Sequence, residues 1–196
     1  RFGHFELPAA RGDFELLKQL ADDALAQHFP DIDRSRPDAV ALMFDAICRQ
    51  TAALLARWMS VGFVHGVMNT DNMSLLSETI DYGPYGWLEK YDPQWTPNTT
   101  DAEGRRYSYG NQPAIAQWNL SRLGNALYPL INDVEPLQAS LNAYNRDFHG
   151  HWQRLLAAKL GLPFEALASQ PEFAPALLQM LEALAMDFNL FFDALT

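Results

Sequence analysis

Apolar residues recur at helical spacing on both sides of one irregular stretch, Phe63 to about Tyr109, and this pattern restricts the chain to a mainly α fold with a single loop-rich segment. Asp13 has the chemistry of an N-cap, and Leu16, Leu17, Leu20, Ala24, Leu25 and Phe29 follow it at helical spacing until Pro30. A second, long helix is expected from near Pro37, through Val40, Met43, Phe44, Ile47, Leu54, Leu55 and Trp58, towards Gly62. Beyond the irregular stretch, Ile115, Trp118, Leu123 and Leu127 mark one helix, and Leu137, Leu141, Tyr144, Phe148, Trp152 and Leu155 another. A last helix is expected to carry Leu177, Leu178, Leu181, Leu184, Phe188, Phe191 and Leu195, with Pro175 in its first turn. Stripes at this spacing pack against one another far more often than they line a ligand groove. The expected organisation is helices over 1–62, loops that carry chemistry over 63–110, and a helical subdomain over 111–196.

The irregular stretch mixes β-branched and aromatic residues with Gly, Pro and Asn, which reads as short strands and turns. Within it, His65-Gly66 is followed by Asn72 and then by Asp81-Tyr82-Gly83. A protein kinase places an Asp just after its His-containing pair, an Asn five residues beyond that Asp, and an Asp-Phe-Gly triplet on the next strand. Here Val67 occupies the position of the first Asp and cannot accept a proton, whereas Asp71 stands beside the Asn. Asn72 and Asp81 preserve the pair of oxygen ligands that holds Mg²⁺ against nucleotide phosphates. Taken singly, Asn-Thr-Asp-Asn and Asp-Tyr-Gly-Pro are ordinary turns built by short polar side chains; the ordered combination is what points to a site. By its position after the triplet, Tyr91–Gly110 corresponds to an activation segment, with Thr99, Thr100 and Ser108 as unexceptional loop hydroxyls.

The runs Phe63 to Ser74 and Ile80-Asp81-Tyr82-Gly83-Pro84-Tyr85-Gly86 resemble the signature of the selenoprotein O family, the YdiU-type proteins. Arg1-Phe2-Gly3-His4-Phe5-Glu6, Tyr91-Asp92-Pro93, Asn111-Gln112-Pro113 and Trp118-Asn119-Leu120 extend the resemblance to about Asn125. It implies a protein kinase-like C-lobe that binds ATP in a flipped orientation and transfers AMP, not phosphate, to protein hydroxyls. It further implies that Asp71 is the catalytic base, Asn72 and Asp81 are the metal ligands for Mg²⁺ or Mn²⁺, and Arg1 contacts the nucleotide phosphates. Protein substrates with hydroxyl side chains follow as partners, as does a cytoplasmic location in a bacterium or a mitochondrial one in a eukaryote. The Gly-rich loop, phosphate-binding Lys and acidic partner of a kinase N-lobe have no counterpart in the sequence. The 196 residues alone are therefore expected to bind ATP weakly and not to turn over. A phosphate-transferring kinase and a non-catalytic pseudokinase module are the alternatives.

Charge and cysteine usage narrow the rest. A formal net charge of −10, with Arg105-Arg106 the only basic doublet, argues against a nucleic-acid surface. Cys48, the single cysteine, excludes an internal disulfide and lies among core-type residues, as expected in a reducing compartment. No membrane-spanning run or secretory signal is expected. The sequons at Asn98 and Asn119 are read as chance matches, and His149 and His151, two apart on a helix, cannot share a metal.

Overall fold

A computed structural model describes residues 1–195. The helices are α1 (Gly3–Arg11), α2 (Phe14–His28), α3 (Ala39–Ser60), α4 (Gln112–Ile131), α5 (Glu135–Lys159), α6 (Phe164–Ala168), α7 (Phe173–Ala183) and α8 (Phe188–Asp193). Two strands, β1 (Phe63–Val64) and β2 (Gly86–Trp87), and 3-10 turns at Thr70–Asn72, Thr99–Asp101 and Tyr109–Asn111 complete the mainly helical architecture. The chain divides into two compact units. The first comprises Arg1–Ala52, Met68–Asp81 and Ala116–Asp147; the second comprises Ala53–Val67, Tyr82–Ile115 and the chain from Phe148 onward.

In the first unit, α1 is a helix that periodicity did not signal. Pro8 lies inside it, which argues against a helix from sequence, yet Phe2, Phe5 and Pro8 are buried three residues apart. Gly12, at φ 70°, ends it and donates its N–H to the carbonyls of Ala9 and Pro8. Asp13 then caps α2, accepting from Leu16 N–H at 3.1 Å, and Leu17, Ala21, Ala24 and Leu25 form the buried face. Replacing Asp13 with Ala is expected to cost about 1 kcal/mol in denaturant unfolding, because it removes that acceptor from an otherwise unsatisfied helix end. Met43, Phe44, Ile47 and Cys48 of α3, Leu120, Leu123 and Leu127 of α4, and Leu137 and Tyr144 of α5 are buried core residues. Gly124 admits the Phe44 ring: a β-carbon there would lie 3.1 Å from Phe44 Cζ. Burial raises the Cys48 thiol pKa, so the thiol stays protonated and inert.

By length and composition α3 could cross a membrane, contrary to the sequence expectation. Its apolar side chains, however, are largely spent on the protein interior, and Asp45 and Arg49 pair on its surface at 2.7 Å.

In the second unit, β1 and β2 pair antiparallel, with Phe63 opposite Trp87 and Val64 opposite Gly86. The buried Gln112 side chain acts as a third partner. Its Oε1 accepts from His65 N–H at 3.0 Å, and its Nε2 donates to Phe63 O at 2.8 Å. Gly66 has φ 81°, and a β-carbon would meet Pro84 O at 2.5 Å. Left-handed strain and the clash together should make Gly66→Ala about 2–3 kcal/mol less stable in urea unfolding.

The last helix expected from sequence is two. Its apolar stripe runs on, but α7 ends at Ala183 and α8 starts at Phe188, with Ala185 at φ 48° between them. The break is held by tertiary hydrogen bonds that a continuous helix would forfeit. Tyr91 N–H donates to Met186 O at 2.9 Å, Phe188 N–H donates to Glu89 O at 2.7 Å, and the Asp187 side chain caps α8. Nearby, Lys159 Nζ donates to Ser60 O at 2.8 Å and lies 4.6 Å from the Phe192 ring centroid, and burial lowers its pKa.

Candidate functional site

The four residues singled out from sequence all lie in the first unit, on its N-terminus and its 68–81 segment. The segment is shaped by Asn69. Its Oδ1 accepts from Asp71 N–H at 3.0 Å and Asn72 N–H at 3.2 Å, winding Thr70–Asn72 into a 3-10 turn. One residue earlier, the Met68 carbonyl accepts from Asn119 Nδ2 at 2.8 Å; both residues are fully buried. Thr70 Oγ1 donates to Glu6 Oε2 at 2.8 Å, and Arg122 Nε holds Glu6 Oε1 at the same distance. Phe2 N–H closes the segment on Met73 O at 3.0 Å. The turn bearing Asp71 and Asn72 is thus pinned to both α1 and α4, as positioned chemistry requires.

Arg1 ties the pieces together. Its Nη1 donates to the Asp71 carbonyl at 2.9 Å and lies 2.6 Å from Asp81 Oδ2, and its Nη2 donates to Asp81 Oδ1 at 3.1 Å. Asp81 itself sits at φ 54°, a left-handed conformation uncommon for a non-Gly residue and tolerated best by Asp and Asn. Gly3 abuts the Asp71 carboxylate so closely that a β-carbon would overlap Oδ1. Arg1, Asp71 and Asp81 are therefore one cluster, and Asn72 shares the turn with Asp71.

Among the described residues, no group of three or more His, Cys, Asp or Glu side chains closes into a metal site. The donor chemistry nonetheless suits a hard divalent ion that keeps most of its shell for water and phosphate oxygens. Asp81 offers a carboxylate, Asn72 carries an amide oxygen, and a cationic guanidinium already rests on both Asp81 oxygens.

Gly3, Glu6, Asn69, Thr70, Asn119 and Arg122 were given no role from sequence, although several stand inside the recognised motifs. Gly3 supplies the sharpest test. The atom that a Gly3→Ala methyl would displace is the end of the Asp71 side chain, so the carboxylate must move while the backbone need not. A structure of the Gly3→Ala variant should show the Asp71 carboxylate displaced and the backbone around it unmoved. The melting midpoint should hardly change.

In the second unit, His65 is buried, its Nδ1 accepts from Val67 N–H at 3.4 Å, and its ring lies 5.6 Å from that of Trp58. The segment after Tyr91 is held by hydrogen bonds to Gly66 and within itself. Asn98 Nδ2 donates to Gly66 O at 2.9 Å, while Asp101 accepts from the N–H groups of Arg106 and Tyr107. Asn98 and Asn119 are both buried with their amides engaged, which disqualifies the two sequons in the folded chain.

A family model described as protein adenylyltransferase SelO matches residues 1–196. Curated relatives named protein nucleotidyltransferase YdiU include one from Nitrosospira multiformis, 53% identical over 197 residues covering 100% of this chain and 35% of the relative. Another, from Rhodopirellula baltica, is 50% identical over 201 residues, covering 100% of this chain and 37% of the relative. A third, from Xanthomonas campestris, is 59% identical over 162 residues, covering 83% of this chain and 31% of the relative. The chain thus spans about a third of the length of the curated relatives it matches.

Proposed function

The chain belongs to the SelO family of protein adenylyltransferases, and we propose that it is the part of such an enzyme that carries its base and metal ligands. In this reading AMP passes from ATP to a Ser, Thr or Tyr hydroxyl of a protein. The observation that carries it is the bridge that Arg1 makes between the Asp81 carboxylate and the Asp71 carbonyl, on a turn that also holds Asn72. A kinase-like C-lobe is the fold that suits this order of motifs.

The acceptor oxygen attacks the α-phosphorus, the bond from that phosphorus to the β-phosphate's bridging oxygen breaks, and pyrophosphate leaves with its electron pair. Asp71 takes the hydroxyl proton; the turn and Gly3 fix where its carboxylate stands. Asn72 and Asp81 would hold Mg²⁺ or Mn²⁺, which supplies charge neutralisation on the triphosphate. Arg1 presents a planar pair of donors that suits phosphate as well as carboxylate, so it would exchange Asp81 for phosphate oxygens when nucleotide and metal enter.

That exchange is testable by calorimetry on the full-length protein. Arg1→Met should weaken ATP binding by roughly ten- to a hundredfold, the worth of charge-assisted hydrogen bonds, and leave adenosine binding unchanged. Equal losses for both ligands would remove Arg1 from the phosphate site.

A further inference from the structure

Two residues of α1 meet the turn that carries Asp71, and they stand one helical turn apart. Gly3 abuts the Asp71 carboxylate, and Glu6, three residues on and so on the same face of α1, accepts from Thr70 Oγ1 at 2.8 Å. The contact at Gly3 is steric only, so it orients Asp71 just as far as something else holds α1 and the turn together. Pairing of Phe2 N–H with Met73 O does this at the far end of the segment, and Glu6 does it at the residue immediately before Asp71.

Glu6 is itself held from α4. Arg122 Nε donates to its other oxygen, Oε1, at 2.8 Å, and the Arg122 guanidinium lies 5.8 Å from the centre of the Trp118 ring. Asn119, one turn before Arg122, donates from Nδ2 to the Met68 carbonyl at 2.8 Å, so α4 grips the turn at Met68 directly and at Thr70 through Glu6. The Arg122 side chain is 49% exposed, and ion pairs of that kind add little to folding stability. The consequence of this pair lies in where it holds Glu6.

We propose that Glu6 is a positioning residue for activation of the acceptor hydroxyl: through Thr70 it sets the turn against α1, where Gly3 walls the Asp71 carboxylate into one direction. The inference rests on the adenylyl-transfer reading with Asp71 as base, and adds to it the element that aims the base. Glu6 is not a second base in this arrangement. Each of its oxygens already accepts a hydrogen bond, from Thr70 and from Arg122, which leaves the acceptor proton to Asp71.

The test uses the full-length protein with ATP labelled at the α-phosphate and casein as a hydroxyl-rich acceptor. Thr70→Val, which keeps the shape and removes the donor, should lower kcat at least about tenfold, and no further than Asp71→Asn does, because positioning can forfeit only what the base supplies. KM for ATP should stay within about twofold of wild type. Glu6→Met should match it, the two together should cost no more than either alone, and Thr70→Ser, which keeps a hydroxyl, should recover most of the rate. In an Asp71→Asn background neither Thr70→Val nor Glu6→Met should lower the residual rate further. Loss by the same factor with and without the Asp71 carboxylate is what a general loosening of the fold would give; it would overturn the positioning role and leave AMP transfer standing. Wild-type kcat in both single variants would do the same. No α-label on protein from the wild type would overturn the transfer reading, and the positioning role with it.

Discussion

Asp81→Asn in the full-length protein should lower adenylyl transfer by about 10³-fold, the scale on which electrostatic stabilisation of a phosphoryl-type transition state is lost. The substitution is unusually clean. Asn tolerates the left-handed backbone that Asp81 adopts at φ 54°, so the fold has no reason to pay for it. The Arg1–Asp81 ion pair is half-exposed, and pairs of that kind contribute little to stability, so unfolding should shift by no more than about 0.5 kcal/mol. What changes is the carboxylate itself. A neutral amide cannot balance a divalent cation, and it can receive Arg1 through only one oxygen instead of two. Raising Mn²⁺ should restore part of the rate, because the defect is one of metal affinity. A variant that transfers AMP at the wild-type rate under limiting metal would remove Asp81 from the metal site.

Asp71→Asn should cost about 10²- to 10⁴-fold in turnover, the range for removing a general base. The neighbouring geometry ought to survive, since Asp71 is anchored through its backbone. Its N–H donates to Asn69 Oδ1 and its carbonyl accepts from Arg1, and neither contact uses the carboxylate. Nucleotide affinity should therefore stay within about twofold of wild type, the pattern of a group that acts chiefly in the transition state. The two aspartates are told apart by metal. Excess Mn²⁺ should rescue Asp81→Asn in part and Asp71→Asn not at all; rescue of both would reassign Asp71 as a metal ligand.

The residues of the candidate site were easier to single out from sequence than their support. The order of Asp71, Asn72 and Asp81 is local information, and so is the Asp13 cap that starts α2. The clamp around the turn is not. Glu6 reaches Thr70 across sixty-four positions and Arg122 across a hundred and sixteen, and no spacing rule connects such residues before the chain is folded. Gly3 looked like one glycine among several until its missing β-carbon proved to be where Asp71 sits. The same physics explains the terminal helices. The apolar period of Leu177 to Leu195 is continuous, but Met186 and Phe188 spend backbone groups on Tyr91 and Glu89, and that tertiary pairing interrupts the helix. In α1 no apolar period marked the element: Phe2, Phe5 and Pro8 are buried three residues apart, and that tertiary burial carries a helix with a proline inside it.

The most direct measurement incubates the full-length protein with divalent metal and ATP labelled at the α- or the γ-phosphate in parallel, and reads label on protein together with pyrophosphate released. Protein-bound α-label with an equal amount of pyrophosphate and no bound γ-label is the predicted result. Bound γ-label would make the enzyme a kinase, and the absence of both labels would leave an interaction module in its place.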